Sequence, residues 1–166
     1  MKKEFVTFLF TATFIFFSSG PVQADSLMLA ASDFVPGQPN HPDLDCYTGW
    51  EIYNFSGADY RYFFAPVHLP QGAQVTSIVV YYQDNSSGYI DIFMERYNMY
   101  TLNCQQMGQL ETSGEMSGVR NSKISPISYW TINNEGYVYW MKLWFSDADA
   151  NTDLTIYGIK INYNAP

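Results

Sequence analysis

The chain has 166 residues, of which 47% are hydrophobic and 18% aromatic, and its formal net charge is −8. This length suits a single domain that is large enough to bury a core. The excess of acidic residues repels phosphate backbones and anionic lipid surfaces. The composition therefore disfavours nucleic-acid binding and simple electrostatic docking on membranes.

The N-terminal segment has the pattern of a secretory signal peptide. Two lysines precede an apolar run from Phe5 to Phe17, and compact residues at Val22 and Ala24 fit the pattern of a cleavage site. The run is shorter than the roughly 20 residues that span a bilayer, which disfavours the alternative of an uncleaved anchor. We predict cleavage after Ala24, a single mature domain over residues 25–166, and a secreted or periplasmic protein. The leader carries two lysines and one glutamate, so its removal changes the net charge from −8 to −9.

The sequence contains two cysteines, Cys46 and Cys104. An even pair in an exported chain predicts one disulfide, which the chain-entropy model credits with about 4 kcal/mol of stabilisation. A redox or metal-binding pair is the alternative, and the absence of a CxxC spacing disfavours it.

Beyond the leader, β-branched and aromatic residues dominate, with turn formers at short intervals, and no segment keeps a helical period. The pattern predicts an all-β domain, a two-layer antiparallel β-sandwich of the jelly-roll type with about nine strands. The predicted strands are 26–34, 48–55, 60–68, 75–83, 89–97, 105–112, 124–131, 136–145 and 153–163.

Two local features refine this prediction. The strands 75–83 and 89–97 are joined by the turn-forming letters NSSG, which predicts a hairpin with one buried face, while Asp91 and Glu95 point to the other face. In the last strand the apolar residues change sides near Gly158, which predicts a β-bulge there.

Several of these segments occur together in a known group. The pattern APV-x-LP-x-GA, the strand YY-x-D and the closing strand L-x-IYG-x-x-I-x-Y resemble a group of exported bacterial β-sandwich proteins that has no established activity. The likeness covers most of the mature chain and its motifs are structural. It implies the fold and export, and it implies no catalytic residue.

The sequence offers little for catalysis. A hydrolytic triad needs a positioned histidine, and His41 and His68 both lie in proline-containing segments without such a setting. Glu51 and Glu95 follow large apolar residues, but strand alternation assigns them to the opposite face, where they are interpreted as solubilising charge. We predict that the protein is not an enzyme.

The strand at 136–145 carries the best candidate for ligand binding. Its alternation predicts a buried set and an outer set, and the outer set includes Trp140, Lys142 and Trp144. Two tryptophans beside a lysine could stack on a sugar ring, or could shelter the lysine by cation–π contact as part of the structure. Both interpretations stay open at this point.

The loop after that strand suggests a metal. Asp147, Asp149, Asn151 and Asp153 recur at every second position, as the oxygen ligands of a calcium loop do. The sixth and twelfth positions, Thr152 and Gly158, lack the glycine and the glutamate of that motif. A weak calcium site is therefore one interpretation, and a solvated loop is the other; the sequence predicts no other cofactor.

These observations favour an exported, non-enzymatic module that binds a carbohydrate or a cell-surface ligand. The alternative is a structural subunit of a surface or matrix layer. In both cases we expect no nucleic-acid partner and no transmembrane segment in the mature chain, and the sequence leaves the oligomeric state open.

Overall fold

The computed structural model describes residues 23–37, 50–53, 61–114, 116–146 and 153–166. These residues form ten β-strands and one short 3-10 helix, Ala31–Asp33. The strands are β1 (Ala24–Ala30), β2 (Val35–Pro36), β3 (Ile52–Tyr53), β4 (Arg61–Pro66), β5 (Gln74–Asp84), β6 (Ile90–Asn98), β7 (Asn103–Glu111), β8 (Met116–Ile124), β9 (Tyr137–Phe145) and β10 (Leu154–Asn164). Among these residues no helix has the length and apolar character needed to cross a membrane.

The strands pack as two antiparallel sheets, which confirms the β-sandwich prediction. Sheet I has the order β1-β10-β5-β8, with β3 also pairing β10, and sheet II has the order β2-β4-β9-β6-β7. The pairs β6–β7, β5–β8, β4–β9 and β1–β10 nest inside one another like a single long hairpin that is folded over itself. The additional pairs β5–β10 and β6–β9 complete the two sheets, and this order is that of a jelly roll.

The core lies between the sheets because every second residue of the central strands is apolar and points inward. In β9 the inward residues Met141, Leu143 and Phe145 have no exposed surface. Phe145 packs edge-to-face on Phe63 of β4, with ring centroids 5.7 Å apart. The predicted inward phase of this strand is confirmed, and so is the outward phase of its other residues.

The predicted hairpin between strands 75–83 and 89–97, which correspond to β5 and β6, is wrong. β5 lies in sheet I and β6 lies in sheet II, so the turn after Asp84 carries the chain from one sheet to the other. The inward faces were assigned correctly, since Ile78, Val80, Ile90 and Ile92 have no exposed surface. Two strands that face each other across a sandwich show the same alternation as two strands paired in a hairpin, so this pattern does not distinguish them.

The predicted strand 124–131 is also wrong. The structure places β8 at Met116–Ile124 and a loop at 125–131, where Pro126 has no N–H to donate to a ladder. β8 is an edge strand whose side chains are mostly exposed, with Ile124 buried. Its polar sequence therefore lacks the alternation on which the strand prediction depended.

The predicted bulge in the last strand is confirmed. The pairing of β10 with β5 shifts between Ile156 and Gly158. A Cβ atom at Gly158 would lie 3.1 Å from the backbone carbonyl oxygen of Leu29 in β1, so glycine allows β1 to approach β10 closely at the bulge.

The connections at one end of the sandwich are hydrogen-bonded to one another. Three segments meet there: 67–73 between β4 and β5, 99–102 between β6 and β7, and 125–136 between β8 and β9. The amide of Gly72 donates to Ile132, and the amide of Met99 donates to Gly136. This end also contains the candidate groove described below.

We predict that Gly158→Val destabilises the protein by about 1 to 3 kcal/mol, because the added side chain meets the rigid backbone of β1. Urea denaturation monitored by circular dichroism measures the change. Lys160→Val is the matched control, since it adds the same side chain two residues along the same strand at a half-buried, non-glycine position. Equal stability of Gly158→Val and the wild type would contradict the assigned contact.

Candidate functional site

The outer face of sheet II is unusually aromatic, and we call it the aromatic face. It is formed by eight of the outward residues of the three strands β4, β9 and β6: Tyr62, Phe64, Phe93, Glu95, Tyr97, Trp140, Lys142 and Trp144. Cross-strand pairing places Phe64 and Phe93 on either side of Lys142, and it places Trp140 opposite Glu95. The residues singled out from the sequence are therefore brought to one surface by strand alternation.

Glu95 is the polar centre of this face. Its Oε2 accepts a hydrogen bond of 2.8 Å from the indole Nε1 of Trp140. Its Oε1 lies 3.8 Å from the Nζ of Lys142, and both side chains are mostly buried, with 14% and 24% of their surface exposed. The thiol of Cys104 lies close enough to the same carboxylate for its negative charge to raise the thiol pKa. Glu95 thus fixes the groups around it and is not simply a solubilising charge.

Lys142 is sheltered by aromatic rings, although not by the two tryptophans. Its Nζ lies 4.7 Å from the ring centroid of Tyr62 and 5.1 Å from that of Phe93, within cation–π range. With Glu95 as its ion-pair partner, the ammonium group is engaged by its neighbours. Its contacts support the structural interpretation of Lys142.

The two tryptophans have different surroundings. Trp140 is held by Glu95 and packs against Tyr97, with ring centroids 6.2 Å apart. Trp144 packs against Tyr62 on one strand and Tyr89 at the start of another, at 6.4 and 5.6 Å. Trp140 lines a groove, and Trp144 is not among the residues that line it.

The groove opens where the aromatic face meets the connected end of the sandwich. Its volume is about 680 Å³, within the range of small-molecule sites. The lining is predominantly apolar and comprises Val35, Phe64, Pro66, Val67, His68, Asn134, Tyr137, Val138, Tyr139 and Trp140. Val35 and Val138 are 59% and 47% exposed, so the groove presents apolar surface to solvent.

Two polar side chains that line this groove, Asn134 and His68, can form further hydrogen bonds. Asn134 donates its side-chain amide to the carbonyl of Leu69, and its backbone amide to Gln71. Within the described residues, no group donates to the Oδ1 of Asn134, and none bonds to the imidazole of His68. A ligand in the groove would therefore meet an apolar wall with a carbonyl acceptor and an imidazole at its edge.

The predicted disulfide involves Cys46, which lies outside the described residues. Cys104 is exposed and its thiol is free in the structure, so the pairing of the two cysteines stays a prediction. Cys104 stands opposite Tyr97 on the outer face of β7, near the carboxylate of Glu95.

The surroundings of Cys104 also affect its acidity. Partial burial of the sulfur raises the pKa of the thiol above its ordinary value, and the nearby Glu95 carboxylate raises it further. The ammonium of Lys142 acts in the opposite direction and does not outweigh them. The raised pKa makes Cys104 a weak nucleophile, because the thiolate is the reactive form.

The calcium prediction falls mainly outside the described residues. This holds for Asp147, Asp149 and Asn151, whereas Asp153 is described. The carboxylate of Asp153 accepts a hydrogen bond of 3.2 Å from the side chain of Asn85. No group of three or more histidine, cysteine or acidic side chains that could hold a metal occurs in the described part of the chain. The calcium site remains a prediction.

Sequence reasoning missed several residues of the groove, and the signal for some was present. Alternation in β4 and β6 places Phe64 and Tyr97 outward, so an aromatic face could have been inferred from neighbouring strands. Which strands are neighbours was not deducible, since it depends on the order of sheet II. Asn134 and His68 come from connections, whose approach to the sheet is not encoded in any period.

Comparison with known proteins gives little. No protein-family model matches the sequence, and no curated protein matches it. A solved structure titled "Structure of infectious bursal disease virus Gx strain" aligns over 86% of this chain and 33% of that one, with 10% identity and a TM-score of 0.34. A likeness of this size carries no argument about function.

We predict that Glu95→Gln makes alkylation of Cys104 severalfold faster at pH 8. Removal of the negative charge lowers the thiol pKa, and the thiolate fraction at that pH rises. Iodoacetamide labelling followed by peptide mass spectrometry measures the rate at Cys104 separately from Cys46. Asp91→Asn is the control, since it removes a carboxylate from the same face of the same strand at a position paired with Glu111. An unchanged rate in Glu95→Gln would show that the carboxylate does not act on the thiol.

Proposed function

We propose that this protein is an exported, non-enzymatic binding module that holds a carbohydrate ring in the groove beside Trp140. The observation that carries the proposal is the fixed orientation of the Trp140 ring next to a groove of about 680 Å³. The hydrogen bond to Glu95 and the contact with Tyr97 hold the indole in place before any ligand arrives. Such pre-organisation reduces the entropy lost on binding.

The chemistry of the groove supports a sugar as the ligand. The C–H face of a pyranose is apolar and stacks on aromatic side chains, while its hydroxyl groups need a few acceptors and donors at the edge. Trp140, Phe64 and Tyr137 supply the apolar surface. His68 and Asn134 supply polar groups whose capacity is not taken up by the described residues.

A binding role is favoured over hydrolysis because of how Glu95 is engaged. Glycoside hydrolysis uses two carboxyl groups on either side of the scissile bond. Glu95 already interacts with Trp140, Lys142 and Cys104, and none of the described residues that line the groove carries a carboxylate. These contacts suit a residue that positions an aromatic wall.

The prediction that tests the proposal is loss of glycan binding in Trp140→Ala. A glycan array probed with the mature protein identifies the sugar, and titration of that sugar then gives the affinity. We expect Trp140→Ala to weaken binding at least about tenfold, because the truncation removes most of the stacking surface.

Trp144→Phe is the matched control, because Trp144 lies on the same face and strand but does not line the groove. It should bind as the wild type does, and melting curves establish that both variants are folded. Absence of any bound glycan on the array, or equal affinity in Trp140→Ala, would refute the proposal.

A further inference from the structure

The groove beside Trp140 has few polar side chains with which to hold the hydroxyl groups of a sugar. Five of its ten lining residues carry no side-chain nitrogen or oxygen. Among the other five, the indole of Trp140 and the phenol groups of Tyr137 and Tyr139 already form hydrogen bonds inside the protein. Asn134 and His68 therefore supply most of the side-chain polar contacts that are open to a ligand.

Asn134 and His68 belong to two connections that are hydrogen-bonded to each other. The side-chain amide of Asn134 donates a bond of 2.9 Å to the carbonyl of Leu69, the residue after His68. The amide of Val67, the residue before His68, donates a bond of 2.9 Å to the carbonyl of Tyr139 in β9. The segment that carries His68 is thus fixed on both sides. A ligand there meets the Oδ1 acceptor of Asn134 and an imidazole that has at least one N–H donor in either protonation state.

The wall of the groove also exposes small apolar side chains. Val138 lies two residues from Trp140 in β9 and so faces the same side of the sheet. Val138 and Val35 both line the groove, and they are 47% and 59% exposed. An apolar substituent on the sugar ring would cover this surface, and its removal from water favours binding.

Among the described residues that line the groove, none offers a negative charge to a cationic ligand. The carboxylate of Glu95, which is bonded to Trp140, already has Lys142 as its ion-pair partner. Salt screens the net charge of the rest of the chain over on the order of 10 Å. An ammonium group in the groove would therefore lose hydration without gaining a partner.

We propose that the sugar bound in the groove carries an N-acetylated amino group, an inference that rests on the proposed function and adds the class of sugar to it. An acetamido group is neutral and has one N–H donor, one carbonyl acceptor and one methyl group. Its N–H matches the Oδ1 of Asn134, its carbonyl matches the imidazole N–H of His68, and its methyl group matches the exposed valines. A hydroxyl in the same place brings no apolar group, and an ammonium brings an unpaired charge.

Three sugars that differ only at carbon 2 test this proposal. N-acetylglucosamine, glucosamine and glucose carry an acetamido, an ammonium and a hydroxyl group there at pH 7, and the galactose series offers the same set. Titration calorimetry of the mature protein measures each affinity. We expect one of the two acetamido sugars to bind at least about tenfold more tightly than its ammonium and hydroxyl counterparts, because it adds a hydrogen bond and a buried methyl group. Equal affinities within both series, or no binding of either acetamido sugar, would overturn the proposal.

The variant Asn134→Asp tests the assigned contact. It keeps the size of the side chain and an acceptor oxygen and adds a negative charge to the lining. We expect the affinity for the ammonium sugar to rise severalfold, because that sugar then has a charged partner. Asn121→Asp is the matched control, since it adds the same charge at an exposed position of β8, outside the groove, and should leave every affinity unchanged.

Melting curves establish that both variants are folded, and the comparison of sugars on the wild type does not depend on them. An unchanged preference between the acetamido and ammonium sugars in folded Asn134→Asp would contradict the contact with Asn134.

Failure of this inference is distinguishable from failure of the proposed function. If sugars bind and Trp140→Ala loses that binding, but the acetamido group makes no difference, the groove is a sugar site and only the class of sugar is wrong. If no sugar binds, or if Trp140→Ala binds as the wild type does, both proposals are overturned.

Discussion

The architecture of the candidate site depends on the pairing of β9 with two neighbours, β4 on one side and β6 on the other. β9 buries every second side chain in the core, so its remaining residues must face outward. Because the neighbouring strands are in register, their outward residues fall beside Trp140 and Lys142. The core therefore specifies the outer surface: a one-residue slip in β9 would place the tryptophans inside and disrupt both faces.

A single carboxylate organises the polar chemistry of that surface. Glu95 accepts a hydrogen bond from the indole of Trp140 and forms an ion pair with Lys142, whose positive charge offsets its own. The partial burial of the carboxylate makes these contacts matter, because a poorly solvated charge needs partners. The same carboxylate orients Trp140 and adds to the rise in the pKa of Cys104 that burial causes.

The sequence supported the all-β class, the two-layer sandwich of jelly-roll type, the inward phases and the bulge at Gly158, since each follows from a local period or its interruption. It did not support the pairing of strands. β5 and β6 read as a hairpin because a turn between sheets has the same residues as a turn within one. β8 was misplaced because an edge strand need not alternate, and the roles of Asn134 and His68 depend on contacts between segments distant in sequence.

The nested order of the strands has a consequence for the route by which the chain folds. β6 and β7 are joined by a short turn and can pair early, whereas the outermost ladder joins Ala24 to Asn164, nearly the whole chain apart. Closure of so long a loop is slow, so β1 pairs with β10 late in folding. During that interval the backbone edge of β10 that pairs with β1 is open. Premature association between molecules would begin at this edge.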